Sequence, residues 1–256
     1  MCPSYQATKN EETTTRARAN MLREVLTENG HQPLPLANDE LKKVLDLCVS
    51  CKACKRECPS NVDMALMKSE FLHQYNKKNG IDFKSKLFGS IHKQNKLGML
   101  APGLVNFMFK NKVTSKLIKS VLGVAQERSL PELNKITFRK WFSTETIQES
   151  GVNGSVYFFV DEFTNYNDLE IGQKAVLLFN KLGFGVKIVE HEVSGRTYIS
   201  KGMLDEAKVC AEKNIALFEN IISESTPLIG IEPSAILTFK DEYPKLLRGE
   251  AQAKAK

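Results

Sequence analysis

Four of the six cysteines in the chain fall within eleven residues, as Cys48-Val-Ser-Cys51-Lys-Ala-Cys54-Lys-Arg-Glu-Cys58, and Pro59 follows at once. This spacing, two residues, two residues, then three before Cys-Pro, is that by which bacterial ferredoxins hold a [4Fe–4S] cubane. Three thiolates set two residues apart can wrap one corner of a cluster in a single turn of chain, while the proline points the fourth elsewhere. In two-cluster ferredoxins that fourth cysteine ligates the other cluster, so its counterpart must be sought at a distance. A zinc site is usually built from two separated CxxC pairs, which this sequence lacks. No signal-peptide pattern opens the sequence, so a disulfide framework has no support and a cytoplasmic setting is expected.

Cys2-Pro3 has the form of the end of another such run. Two ligand sets follow. Cys2 is the remote fourth ligand for Cys48, Cys51 and Cys54, or Cys58 completes the set locally and Cys2 is incidental. The expected cofactor is a 4Fe-4S cluster in either case.

The elements that must position these thiols read as helices. Thr13, Thr14 and Thr15 lie near the start of a first long helix, whose apolar face is Met21, Leu22, Val25 and Leu26. Arg16, Arg18 and Arg23 decorate its other side, Gly30 ends it, and Pro33 and Pro35 mark a loop. Leu41, Val44, Leu45 and Leu47 form a short helix that delivers the chain to Cys48. A third begins after Pro59, capped by Ser60 or Asn61, with Met64, Met67, Phe71 and Leu72 along one face. Residues 1–78 are therefore expected as a helical ferredoxin-type domain and 79–150 as a helical linker, with Trp141 packing between two halves.

From 151 to 256 the pattern changes. Val156–Val160, Val186–Val189 and Leu228–Ile231 are short β-rich apolar runs. Between them lie helical stretches over Glu170–Lys181, with Ile171, Ala175, Val176 and Phe179 on the core face, and over Lys201–Ile222. Alternation of this kind predicts βαβ units and a parallel sheet, with function at the strand C-terminal ends. The fold class is thus α plus α/β.

The 256 residues carry a net charge of +6, with 42% hydrophobic and 26% charged residues, as in ordinary globular proteins. No apolar run reaches the ~18 residues of a membrane-spanning helix. From Lys77 to Gln126 ten lysines stand against one acid, Asp82, interleaved with Phe83, Leu97, Leu104, Phe107 and Leu117. Such a segment suits an amphipathic linker with a solvated lysine face; peripheral contact with an anionic membrane through 77–119 is the sharper reading. No nucleic-acid motif accompanies the charge.

Taken together these stretches resemble a known family, the iron–sulfur and cysteine-rich (CCG-domain) region of FAD-linked D-2-hydroxyacid oxidoreductases of the D-lactate and glycolate dehydrogenase type. The resemblance rests on Met1-Cys-Pro-Ser-Tyr-Gln-Ala-Thr8, Thr15-Arg-Ala-Arg-Ala-Asn20 and Leu45–Pro59. It continues through Asp161-Glu-Phe-Thr-Asn-Tyr166, Ser194-Gly-Arg196, Ile199-Ser-Lys-Gly202 and Ile231-Glu-Pro-Ser234. It implies an electron-transfer module, not catalytic alone, that takes electrons from a flavin (FAD) domain or subunit and passes them to an acceptor. It also implies a fragment or split-gene product. Where many relatives have paired cysteines before Gly-Arg, this sequence has Val193-Ser194, and Ala235 follows Glu232-Pro-Ser234, so the second domain is expected to keep the fold without a cluster. Asn165, Ser194, Arg196 and Glu232 are then candidates for a hydrogen-bonded binding rim. His191, Glu192 and Arg196 as an acid–base group is a weaker reading, since such triples are common on loops. A non-redox scaffold with a structural metal is the alternative function.

Overall fold

The computed structural model describes residues 2–28 and 36–255. The expected helix end at Gly30 and the loop marked by Pro33 and Pro35 lie outside the described residues. The chain divides into two compact units, one of Met1–Gly89 with Tyr198–Asp205, the other of Ser90–Thr197 with Glu206–Lys256.

The first unit is helical. Helix α1 (Pro3–Thr8) starts on a proline, whose missing N–H is no loss at that position, with Cys2 as its N-cap. A 3₁₀ turn (Glu11–Thr13) leads to Thr14, whose hydroxyl accepts from the Ala17 N–H and opens α2 (Thr15–Glu28). Asn38 caps α3 (Asp39–Asp46) by accepting from the Leu41 N–H. The cysteine run follows, with the short α4 (Ala53–Glu57) inside it. Helix α5 (Met64–Asn79) is capped by Asp63, which accepts from the Leu66 N–H, and not by Ser60 or Asn61. Asn61 is instead in the left-handed region, at φ 53°, in the turn that follows Pro59. Helix α6 (Phe83–Gly89) ends this part of the unit.

Val25, Leu36, Leu41, Leu45, Met64, Phe71 and Leu72 form the core, with Met21, Leu22 and Cys54 packed against it. Met67 and Leu26, expected on apolar faces, are exposed. The segment 198–205 returns to α5 from far along the chain. Asn76 Nδ2 donates to the Lys201 carbonyl at 2.9 Å, and His73 Nδ1 is 3.2 Å from the Gly202 carbonyl oxygen. Gly202 has φ +68°, and a Cβ there would lie 2.5 Å from Leu72 Cβ and 2.7 Å from the His73 nitrogen. Only glycine fits that contact, which accounts for the last residue of Ile199-Ser-Lys-Gly202.

The second unit begins with α7 (Ile91–Gly98), α8 (Pro102–Lys110) and α9 (Lys112–Leu122). The stretch 79–150 is thus largely helical, but it is shared between the two units. Asn106 exchanges two hydrogen bonds with the backbone of Leu133, at 2.7 and 2.9 Å, and so fastens the following chain to α8. Helix α10 (Phe138–Thr144) carries Trp141 into the core of this unit, beside Phe138 and Phe142, and its packing there replaces the expected role between halves.

The sheet is small and wholly parallel. Strands β1 (Ser155–Phe158), β2 (Gly185–Lys187) and β3 (Leu228–Ile229) stand in the order β2-β1-β3. Val156 pairs with Val186, and Phe158 with Ile229. Each strand is shorter than its apolar run, because the chain leaves the ladder while its side chains are still buried: Phe159 and Val160 are core residues. After β1 come α11 (Glu162–Tyr166) and α12 (Leu169–Lys181). In α12 Val176 is buried, whereas Ile171 is 57% exposed and Gly172 is the residue that faces inward. Expecting Ile171 in the core was wrong by one position, since a residue without a Cβ is what lets the helix approach Phe138. After β2 come α13 (Arg196–Ser200) and α14 (Leu204–Phe218), in place of one helix from 201 to 222. The chain ends with α15 (Pro233–Asp241), α16 (Tyr243–Leu246) and α17 (Gly249–Lys254).

Candidate metal centre

In the first unit Cys2, Cys48, Cys51, Cys54 and Cys58 all line one cavity of about 320 Å³. Each reaches it from a different local structure. Cys2 caps α1, Cys48 follows the end of α3, Cys54 lies in α4, and Cys58 is the extended residue that ends α4. Cys51 sits between Ser50 and Lys52, both left-handed at φ 52° and 59°. Two non-glycine residues in that region cost about 1–2 kcal/mol each, and they concentrate strain where the thiols are gathered. All five cysteines are free thiols, Cys51 exposed and the others half-buried.

Two buried cations hold this arrangement from behind. Lys68, on the apolar face of α5, donates to the Cys48 carbonyl at 2.7 Å and reaches the Asp46 carbonyl at 3.4 Å. It thereby closes the C-terminal end of α3 at the point where the cysteine run begins. Arg18 is 1% exposed. Its Nε donates to the Val44 carbonyl at 3.1 Å, and its Nη1 lies 3.2 Å from Cys2 Sγ. Reading Arg18 as a surface arginine was therefore wrong. Ser4 Oγ donates to the Leu47 carbonyl and joins α1 to the end of α3. Of the cations inside the run, Lys55 is 3.5 Å from Asp63, the cap of α5.

Burial pushes the Cys2 thiol up, but hydrogen bonds from Arg18, Ser4 and Tyr5 outweigh it and bring the group down to about 7. Cys54 is held above its ordinary value by burial, with Cys48 and Cys51 adding to the effect. An all-sulfur donor set selects soft ions or iron–sulfur clusters, and binding either takes the protons off the thiols. Zinc would require four donors about 2.3 Å from one point. Among the described residues no three His, Cys, Asp or Glu side chains come together as a single-ion site. Five cysteines around one cavity are one more than the four that a [4Fe–4S] cubane takes.

Similarity to known proteins points the same way. Residues 1–62 match the 4Fe-4S dicluster domain. The dicluster match ends just past the last of the five cysteines. Over nearly its whole length the chain is similar to D-2-hydroxyglutarate dehydrogenases. It is 24% identical to that of Pantoea ananatis over 98% of this chain and 29% of that protein, and 25% identical to that of Escherichia coli over 98% and 28%. It is also 28% identical to one of the subunits of the anaerobic glycerol-3-phosphate dehydrogenase of Escherichia coli, over 56% of this chain and 37% of that polypeptide. The chain thus spans less than a third of the length of the D-2-hydroxyglutarate dehydrogenases it matches. No solved structure matches it.

The candidates in the second unit are hydrogen-bonded within the fold. Ser194 is fully buried; its hydroxyl is 3.2 Å from the Glu162 carboxyl and accepts from the Arg196 N–H at 3.1 Å. Arg196 Nη1 donates to Glu242 at 2.8 Å. Tyr243 donates to the Ser194 carbonyl, and Asn214 donates to both Tyr243 and the Val193 carbonyl. These bonds pin the loop after β2 to α14 and α16. Asn165 instead accepts from the Arg139 N–H, and Glu232 caps α15 through the Ala235 N–H. Ser194 and Arg196 are brought together, while Asn165 and Glu232 serve their own elements.

His191 stacks on Phe159 at 4.2 Å, accepts the Val160 N–H on Nε2, and donates from Nδ1 to the Glu192 carbonyl. Burial and the nearby Arg139 push it down to about 4. A neutral, fully bonded imidazole is a packing group, not an acid–base catalyst. Cys210 is a buried thiol pushed up to about 11 by burial, with Glu192 and Glu162 adding to the effect, and thiols so placed are inert.

Proposed function

We propose that this chain is the iron–sulfur electron-transfer module of a flavin-linked D-2-hydroxyacid oxidoreductase, with one [4Fe–4S] cluster held by Cys48, Cys51, Cys54 and Cys2. The observation that carries the reading is the gathering of Cys2, from the start of the chain, into the cavity of the cysteine run, with a buried arginine in contact with its sulfur. Cys58 lies at the same cavity and is the alternative fourth ligand. The cluster supplies one-electron chemistry at a potential set by its surroundings. Oxidation of a 2-hydroxyacid to the 2-oxoacid releases two electrons and two protons, and a flavin domain or subunit would hand the electrons on singly. What this chain contributes is the thiolate set, its burial and the cations behind it. The names of its relatives support a D-2-hydroxyacid as the ultimate donor, and the relative that is itself one subunit of a glycerol-3-phosphate dehydrogenase supports a partner polypeptide.

Anaerobic reconstitution of the chain tests this. Four irons and four sulfides per chain, with a visible band that bleaches on reduction and returns on reoxidation, are expected. Zinc alone, or no metal, would leave only a scaffold role.

A membrane contact belongs to the same reading. Leu100, Leu104, Phe107, Val113, Leu117 and Val121 of the α8–α9 region are more than half exposed, and Lys110, Lys112, Lys116 and Lys119 stand among them. Apolar side chains with flanking lysines suit an anionic bilayer surface. No helix among the described residues is long and apolar enough to cross a membrane. Sedimentation with phosphatidylserine vesicles but not with phosphatidylcholine vesicles is expected, and equal recovery from both would remove the charge-based contact.

A further inference from the structure

Arg18 has more donors than the protein around it satisfies. Its Nε and Nη1 have partners in Val44 and Cys2, but Nη2 is buried without a hydrogen-bond partner. An unmet N–H of a buried cation is costly to the fold. Among the described residues no carboxylate forms an ion pair with it. The side chain lines the cysteine cavity, so a group bound there would bring sulfur acceptors up to the guanidinium.

We infer that Arg18 is the positioning and potential-setting residue of the cluster, its guanidinium donating N–H···S hydrogen bonds to Cys2 and, through Nη2, to a sulfur of the bound group. The inference rests on the proposed function above. A four-thiolate cluster gains a further negative charge on reduction. A fixed cation in contact with it, in a site shielded from water, favours the reduced form. Arginine suits the task because it stays charged and its donors form a rigid planar fork: one arm holds α3, another holds Cys2, and the third is left for the cluster. Lysine would supply the charge without the fork. The position on α2 fits this role, since Arg18 stands on the same stripe as Met21, Leu22 and Val25 and is carried inward with them.

The test compares the reconstituted full chain with its Arg18→Gln and Arg18→Lys variants, reading iron content and the midpoint potential in an EPR-monitored titration. With four irons retained, the Gln variant is expected to lose about tenfold in the equilibrium constant for reduction, or about 59 mV for a one-electron couple. The Lys variant should fall between the two. A Gln variant with full iron and an unchanged midpoint would overturn the inference while leaving the cluster assignment intact; a wild-type chain without iron would overturn both. Should the Gln variant not hold iron, wild-type chain carrying ¹⁵N-arginine decides the matter. Pulsed EPR of the reduced cluster should show a ¹⁵N coupling that the Lys variant lacks, and its absence would overturn the inference.

Discussion

The Arg18 Nη1 stands 3.2 Å from the sulfur of Cys2, across sixteen residues of sequence. This contact joins the isolated first cysteine to the structure that presents the other four, because the same guanidinium also holds the Val44 carbonyl of α3. Loss of the arginine is therefore expected to disturb Cys2 and Cys48 together.

Lys68 holds the start of the cysteine run. Replacing it with methionine keeps the volume and leaves the Cys48 carbonyl without its donor. A loss of about 1–3 kcal/mol of stability is expected from the unmet carbonyl. Urea denaturation of the metal-free chain would measure it, and a variant as stable as the parent would show that the lysine does not hold the loop.

Gly202 tests why a segment from late in the sequence belongs to the first unit. Gly202→Ala places a Cβ against the backbone of Leu72 and His73, at a positive φ. A loss of more than about 2 kcal/mol is expected from overpacking and strain together. Thermal unfolding would read it directly, and a shift within error would mean that the contact is not rigid.

Glu162 and His191 give the second unit opposing pH dependences. Burial raises the Glu162 carboxyl from 4.5 to about 7. Between those values the folded state holds a proton that the unfolded state has lost, so stability falls as pH rises through the window. His191 is lowered from 6.5 to about 4. Between those values the unfolded state binds the extra proton, so stability falls as pH falls. The two slopes nearly cancel from about 4.5 to 6.5. In Glu162→Gln the carboxyl's slope is removed, and stability should rise by about 1.4 kcal/mol per pH unit over that window. Chemical denaturation of parent and variant at pH 4.5, 5.5 and 6.5 would test this, and parallel profiles for the two proteins would contradict it.

The sequence made the cysteine run, the helical first unit and the parallel sheet legible, since spacing and hydrophobic period carry those directly. It misled where a single residue departs from its type. Arg18 lies three, four and seven residues before Met21, Leu22 and Val25, and Lys68 lies between Met64 and Phe71 at the same period. A cation on an apolar stripe is the signal that both are buried, and it stands in the sequence. Gly172 reads as a flaw in an apolar face until Phe138 is known to lie against it. The cap of α5 at Asp63, past Ser60 and Asn61, depends on the left-handed turn after Pro59, which propensity does not foresee. The return of Tyr198–Asp205 to the first unit depends on tertiary contacts that no local pattern encodes.

Whether Cys2 completes the four-thiolate set is decided by the cluster content of two single variants. Wild-type chain, Cys2→Ser and Cys58→Ser would be reconstituted anaerobically, and iron and sulfide measured per folded chain. About four irons are expected in the wild type and in Cys58→Ser, with the cluster lost or degraded in Cys2→Ser. Four irons retained without Cys2 but lost without Cys58 would rule out Cys2 as a ligand and place all four within the run.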